Sequence, residues 1–478
     1  MPIGPVYRPD PRFFDLGDEY GDAVQPAEFP KAILRYRNDR AAATVGLEAL
    51  TDAEWIAHFG RFEPLPGQPG PIAMRYHGHQ FRTYNPDLGD GRGFLAAQVR
   101  ADDGRLLDLG TKGSGTTPWS RGGDGRLTLK GGVREVLAAA MLEALDVPTS
   151  RAFSLIETGE QLQRGDEPSP TRSAVLVRLQ HSHIRFGTFQ RAAFFGRADM
   201  IETLIEHVRS LYRPQVAAGD APGLLAAIVA ACARLTARWV AAGFVHGVLN
   251  TDNLNVTGES FDYGPWRFLP YYDPAFTAAY FDQTGLYAFA RQPEAVFWAL
   301  TQLGGCLKLV ADAQALTDAL NGFGPAYIRE LRAAFLNRLG VRSLGEAADQ
   351  RLVDCTLALL REGGAAMRWE PLFHDWFAGF ASSARALSGP RAALYQSKTF
   401  ADFRYALFEH EPDRPERLEY PVFARPEPEE MPVEEVEAIW SAIDVDDDWS
   451  PLHEKLARLD AARAARTPLG RHFGHRKQ

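Results

Sequence analysis

The chain has 478 residues, 45% of them hydrophobic and 24% charged, with a formal net charge of -9. This is globular composition, long enough for several domains or lobes. It excludes wholesale disorder and a general nucleic-acid coat. Three cysteines (Cys232, Cys306, Cys355) form no C-x-x-C pair, which excludes a disulfide framework and a zinc ribbon.

The opening residues, MPIGPVYRPD, lack the charged and apolar regions of a signal peptide. Residues 224–244 are apolar but interrupted by Arg234 and Arg238, so they read as a buried helix rather than a membrane span. The expected setting is the cytoplasm, with no membrane and no nucleic acid as partner.

In chain order, residues 1–70 are rich in proline and aromatics, carry a helical stretch at 41–59, and read as an N-terminal extension. Residues 71–185 alternate glycine clusters with short β-like runs. Residues 93–100 read as a strand, Ala101-Asp102-Asp103-Gly104 as a turn, and 106–110 as the partner strand. A glycine-rich loop at 113–125 precedes a helix with Val133, Val136, Leu137, Ala140, Met141, Ala144 and Leu145 on one face. Val147-Pro148 ends it, because the residue before a proline is pushed out of the helical region.

Residues 173–179 read as a buried strand. From 186 to 400 the pattern is mainly helical, with periodic segments at 200–212, 224–242 and 293–310, a loop at 243–247, and short strands at 254–256 and 267–269. Residues 401–478 read as a helical extension and tail. Their acidic run, 426–449, reads as a solvated helix face, and the basic end, RTPLGRHFGHRKQ, as frayed.

Chemistry concentrates in two places. His246-Gly247-Val248-Leu249-Asn250-Thr251-Asp252-Asn253, with Asp262-Tyr263-Gly264 after it, follows the spacing of a protein-kinase catalytic loop and metal-binding triplet. An amide oxygen and a carboxylate, Asn253 and Asp262, can jointly hold a divalent cation against nucleotide phosphates. A D-x-G triplet alone is more often a turn; the three positions together are more specific. The place of the kinase base is taken by Val248, which cannot accept a proton, and the nearest carboxylate is Asp252.

In the β-rich stretch, Lys112 stands at a strand end among glycines and Glu135 near the start of the following helix, the arrangement of a phosphate-neutralising lysine and the glutamate that holds it. Lysine is scarce here, with seven in the chain, so this one stands out. Taken singly, Lys112 reads as a surface lysine and Glu135 as a charge suited to a first helical turn. Leu88-Gly89-Asp90-Gly91-Arg92-Gly93 and Gly122-Gly123-Asp124-Gly125-Arg126 would let backbone N–H groups approach phosphate oxygens, although hairpin turns use the same pattern. Arg178 and Arg185 flank Gln180-His181-Ser182-His183 and would converge on one phosphate, or else be two exposed arginines in an arginine-rich chain. His181 and His183 could suggest a metal site, but no third ligand is nearby, and they read as structural or phosphate-side histidines.

The segments YHGHQF, LGDGRG, TKGSGTTPWSRGGDGR, VREVL, SHIRFGTF, GFVHGVLNTDNL and DYGPWRFL closely resemble the selenoprotein O (SelO, YdiU) family, from about residue 28 to 310 and more loosely beyond. The resemblance implies an α+β, protein-kinase-like two-lobed fold. It has an N-terminal extension (1–70), a small β-rich N-lobe (71–185) with one key helix, a helical C-lobe (186–400) and a C-terminal extension (401–478). It implies transfer of AMP from ATP to Ser, Thr or Tyr hydroxyls of protein substrates, with Mg²⁺ or Mn²⁺ and with ATP reversed in the cleft so that the γ-phosphate is buried.

Carried over by position, Lys112 and Glu135 form the ion pair, and Gly89, Gly91, Arg92, Asp124 and Gly125 line the nucleotide. Arg178 and Arg185 hold the buried phosphate, Asp252 accepts the proton, and Asn253 and Asp262 bind the metal, with Asp262 also at the nucleotide. UMP transfer with manganese is the variant the resemblance allows; a small-molecule kinase and a non-catalytic nucleotide-binding scaffold are the alternatives. Val248 counts against the kinase, and the retained Lys112, Asn253 and Asp262 against the scaffold. A monomer is expected. The sequence departs from the family's usual pattern at His77, Arg82, Asp87 and residues 278–282, and no cysteine follows Cys355, so redox gating by a C-terminal thiol is not expected.

Overall fold

The computed structural model describes residue 4, residues 6–165 and residues 167–466. The chain begins with β1 (Gly21–Ala23), β2 (Ile33–Arg37), α1 (Asp39–Ala43) and α2 (Asp52–Phe59). Then come β3 (Ile72–Met74), β4 (Gly78–Gln80), β5 (Thr83–Asn85), β6 (Leu95–Arg100), β7 (Leu106–Lys112) and β8 (Leu127–Thr128). They lead into α3 (Leu129–Ala144), β9 (Arg151–Leu162) and β10 (Thr171–Gln180). An antiparallel sheet runs in the order β1-β3-β6-β7-β10-β9-β2, with β8 also on β10, and β4–β5 is a separate hairpin.

Strand alternation sorts this sheet's side chains. On β10, Ala174 and Leu176 join the core shared with α3, while Val175, Val177 and Leu179 join a second core. That second core is closed by Trp55 and Phe59 of α2, so the stretch before residue 70 supplies both two strands and the cover of the outer face. The helical stretch at 41–59 is in fact two short helices. Gly46 between them takes φ +72, a conformation that interrupts a right-handed helix. The strand β9 has no counterpart in the sequence pattern, because polar Glu157, Thr158, Gly159 and Glu160 mask its alternation.

α3 starts where Thr128 Oγ1 accepts from Gly131 N–H at 3.1 Å, an N-cap, and stops just before Val147-Pro148 as its sequence requires. The helical part follows with α4 (Phe186–Phe194), α5 (Ala198–Tyr212) and α6 (Ala221–Ala241). α6 is long and apolar enough to cross a membrane, but 72% of its apolar window is buried inside the protein. After it, β11 (Phe244–Val245) pairs with β12 (Arg267–Phe268), so the expected loop at 243–247 carries a short strand. Residues 254–256 are not a strand. Asn255 makes only one bridge, to Arg185, and its side chain donates to Ser182 O at 3.1 Å.

The remaining helices are α7 (Gln292–Leu307), α8 (Ala313–Asn321), α9 (Phe323–Leu339), α10 (Glu346–Gly363), α11 (Trp369–Asp375) and α12 (Ser383–Ser388). α13 (Lys398–Glu409), α14 (Pro421–Ala424), α15 (Val433–Asp446) and α16 (Ser450–Arg466) complete the chain. The acidic run is not simply a solvated face. Glu437 pairs with Lys130 of α3 at 2.7 Å, and Asp447 pairs with Arg172 at 2.6 Å and Arg35 at 3.0 Å, both on the sheet. Glu429 is buried against Lys455 at 3.1 Å. Part of the run thus pairs with cations of the sheet and of α3. The basic tail beyond Arg466 lies outside the described residues.

Candidate active site

The parity that sorts the sheet also builds the site. Lys112 ends β7 and Arg178 lies on β10, each on the face that Ala174 and Leu176 turn toward α3. Glu135, in the second turn of α3, meets them from above. Lys112 Nζ bonds both Glu135 Oε1 and Asp262 Oδ1, and all but the Asp262 carboxylate are buried. Gly110 is the residue paired with Arg178 in the ladder, and a Cβ there would overlap the His183 ring, so this strand position must be glycine. His183 in turn is fixed by Asp108, which accepts its backbone N–H at 2.8 Å and faces its Nδ1 at 3.2 Å, the structural of its two expected roles.

Arg178 Nη1 stands 3.5 Å from Asp262 Oδ1 and 3.9 Å from Glu135 Oε2, too far for good hydrogen bonds. Arg185 lies between the rings of Tyr76 and Phe261, 4.6 and 4.9 Å from their centroids, and donates to Asp252 O at 2.7 Å. Arg178 Nε and Nη1 and Arg185 Nε are buried and donate to nothing among the described residues. Two buried cations with unused donors are costly unless an anion completes them.

The 3-10 turn at Thr251–Asn253 presents Asp252 and Asn253. Asn253 Nδ2 donates to Asp262 Oδ2 at 3.0 Å, and Asp262 holds φ +63, which turns its carboxylate toward Lys112. Burial would raise the pKa of Asp262, but Lys112, Arg178 and Arg185 outweigh it and hold the carboxyl well below the ordinary range. Asp252 goes the other way. Burial raises its pKa to about 6, although Arg185 opposes this, and its Oδ1 is buried without a hydrogen bond. Val248 packs against the main core and takes no part.

These groups line a cavity of about 630 Å³. Its wall contains Gly89, Gly91, Arg92, Lys112, Asp124, Gly125, Arg178, Arg185, Asp252 and Asp262, so ten of the sequence candidates meet in one place. Glu135 stands behind Lys112 and Asn253 behind Asp262. The glycines have a packing reason too. A Cβ on Gly89 would overlap the Trp119 ring, so the two glycine loops close on each other only without side chains there. Asp124 is tied to Arg164 at 2.8 and 3.1 Å and to Arg126 N–H at 3.0 Å, on the exposed side of the cavity.

The wall also holds residues that sequence reasoning missed. Asp90, Trp119, Arg121, Arg126 and Arg164 all line it. Asp90 and Arg126 sit inside the glycine motifs and carried that signal. Arg164, on the loop after β9, carried none. Arg92 and Arg121 are exposed and form no ion pair among the described residues, and Arg121 adopts φ +50. Seven basic and four acidic side chains make the wall cationic.

Among the described residues no three His, Cys, Asp or Glu side chains stand together as a metal site. Asn253 turns its amide nitrogen to Asp262 Oδ2, and Lys112 takes Asp262 Oδ1; with the amide reversed, the two side chains would offer oxygens to a hard divalent ion that takes its other ligands from phosphates and water.

A family model described as protein adenylyltransferase SelO matches residues 7–460. The chain belongs to the SelO family. Its relatives include the protein nucleotidyltransferase YdiU of Synechococcus elongatus, 45% identical over 468 residues and 94% of each chain. The YdiU of Gloeobacter violaceus is 45% identical over 472 residues and 94% of each chain. That of Chromohalobacter salexigens is 40% identical over 359 residues, 73% of this chain and 72% of its own. The family and these relatives make this SelO-family chain a nucleotidyltransferase.

Proposed function

We propose that this chain transfers AMP from ATP to serine, threonine or tyrosine hydroxyls of proteins, in a protein-kinase-like cleft that holds ATP reversed. The cleft lies between an N-lobe (71–185) and a helical C-lobe (186–400), with extensions at 1–70 and 401–478. The observation that carries the reading is the pair of buried guanidiniums with unused donors, Arg178 and Arg185, in the wall of a cationic cavity. A terminal phosphate there would complete their hydrogen bonds.

In this reading Lys112, fixed by Glu135, neutralises phosphate charge, and Gly89, Gly91, Arg92, Asp124 and Gly125 seat the rest of the nucleotide. Asn253 and Asp262 would hold Mg²⁺ or Mn²⁺, which supplies charge neutralisation for the triphosphate. The acceptor hydroxyl attacks the α-phosphorus, its proton passes to Asp252, and the bond from the α-phosphorus to the bridging oxygen breaks. Pyrophosphate leaves, held by Arg178, Arg185 and Lys112. Asp252 suits the task, since a carboxylate whose pKa is raised to about 6 is a better base than an ordinary aspartate.

Incubation with ATP labelled on the α- or the γ-phosphate tests the reading. Protein-bound α-label without γ-label is the expected result, and Asp262→Ala should abolish it. Transfer of γ-label alone would make the chain a kinase. The absence of either label with protein acceptors present would turn the reading to UMP transfer, and the absence of label from α-labelled UTP with manganese as well would leave a nucleotide-binding scaffold.

A further inference from the structure

Beside Asp252 the β4–β5 hairpin is locked to the turn that carries that carboxylate. His79 N–H donates to Thr251 Oγ1 at 2.7 Å, and Phe81 N–H donates to Asn250 Oδ1 at 3.0 Å. The Tyr287 hydroxyl donates to the same Asn250 oxygen at 2.8 Å, and Thr251 Oγ1 donates to Gln190 Oε1 at 2.6 Å. Gly78 lies against Asp252 so closely that a Cβ would stand 3.1 Å from Oδ1. The hairpin therefore cannot shift without moving the carboxylate.

At the hairpin's turn, Phe81 and Arg82 take φ +49 and +63, conformations that side-chain-bearing residues adopt at a cost. That turn delivers Phe81 onto Tyr287 and Phe281, with ring centroids 5.1 and 5.8 Å apart. Phe281 continues onto Tyr280 at 5.1 Å. Tyr280 is 82% and Phe281 47% exposed. A lone exposed aromatic is ordinary. Two exposed rings in contact, seated on the half-buried Phe81 of a strained turn that is fixed to the Asp252 segment, make a surface that gains by being covered. None of the three lines the cavity, so a nucleotide can fill the cavity without touching them.

We propose that the rim of Phe81, Tyr280 and Phe281 receives an aliphatic or aromatic side chain of the acceptor protein, placed a few residues from the hydroxyl that Asp252 deprotonates. The inference rests on the proposed transfer to protein hydroxyls and names the class of acceptor: segments in which a large apolar residue neighbours the modified hydroxyl. A protein hydroxyl that reaches Asp252 brings its chain neighbours along this rigid hairpin, and an extended segment spans about 3.3 Å per residue, so the rim is what the next residues meet.

The test uses the full chain and a set of serine-containing peptides that differ only in whether leucine or asparagine occupies the positions flanking the serine, with α-labelled ATP. Wild-type protein should modify the leucine peptides with at least about tenfold lower KM than the asparagine peptides, a discrimination typical of one apolar side chain in a pocket. The double variant Tyr280→Ser, Phe281→Ser should lose that preference while kcat and calorimetric ATP affinity stay unchanged. Both side chains are exposed, so the variant should fold, and retained ATP binding verifies it. Equal KM for the two peptide types with wild-type protein would overturn the rim and leave AMP transfer standing. A variant that binds ATP more weakly but keeps the peptide preference would assign the rim to the nucleotide and overturn the proposal. A wild-type protein that labels no acceptor would overturn the transfer reading itself.

Discussion

Lys112 is buried and bonded to two carboxylates, Glu135 and Asp262. Removing one partner of a buried ion pair costs about 3–5 kcal/mol, because the charge left behind has no counterion. Here Arg178 stands within 3.9 Å of both acids and takes up part of the deficit. Lys112→Ala should therefore still fold, with a lowered Tm in thermal denaturation, and should lose α-label transfer by about a hundredfold or more.

Gly89→Ala acts by shape alone, since it forces the Trp119 ring away and opens the two glycine loops. A loss of stability of about 1–3 kcal/mol, with weaker ATP binding by calorimetry, is expected.

Glu259 offers a pH test away from the reaction centre. Burial raises its pKa to about 7, although the His181 N–H bonded to it at 2.7 Å works in the opposite direction. The folded state thus holds this proton more tightly than the unfolded chain. Its contribution is fully present below the ordinary carboxyl range and is lost as pH rises through about 7. Glu259→Gln removes that loss, so the variant's Tm should gain on the wild type as pH is raised across this window.

At the scale of elements, α3 is the piece on which the site depends, and the C-terminal helices hold it in place. Glu437 of α15 grips Lys130 in the first turn of α3, five residues before Glu135. Arg172 of β10 donates to Ile443 O at 2.9 Å and pairs with Asp447, so the end of α15 is tied to the sheet. Exposed pairs contribute little each, about 0.2–1 kcal/mol. Glu437→Lys should therefore shift Tm only slightly but lower kcat for labelled transfer with little change in ATP affinity, because α3 is loosened around Glu135. The double variant with Lys130→Glu should restore the rate.

The motifs that placed the site were legible because strands and helices have short repeat patterns. Lys112 at a strand end and Glu135 in a helix are a two-residue statement about neighbours in space. Arg164 was not legible, since it reaches the cavity only through Asp124, forty residues back along the chain and on another loop. The same holds for the acidic run at 426–449. A run of glutamates and aspartates in a sequence says that charge is present, not which arginines across the molecule will meet it.

For the whole molecule, one core joins the sheet and the helices. Val133, Val136 and Leu137 of α3 share it with Leu235 of α6, Leu300 of α7, Val436 and Ile443 of α15, and Leu452 and Leu459 of α16. The C-terminal helices are therefore part of the folding unit. Truncation after residue 425 should leave α3's outer face bare, and the shortened chain should bind hydrophobic dye and denature at a much lower temperature than the full one.

By itself the sequence determined the family, the helix that carries Glu135, the strands that carry Lys112 and Arg178, and the motifs that supply Asp252, Asn253 and Asp262. Periodicity and glycine spacing are local properties, and they survive in a linear string. Only the tertiary structure decided that the first seventy residues cover the sheet's outer face, that the acidic tail clamps its arginines, and that Arg121, Arg126 and Arg164 reach the same cavity. Those outcomes depend on which side chains become neighbours after burial, and apolar attraction and long-range charge pairing carry no mark of their partners in the sequence.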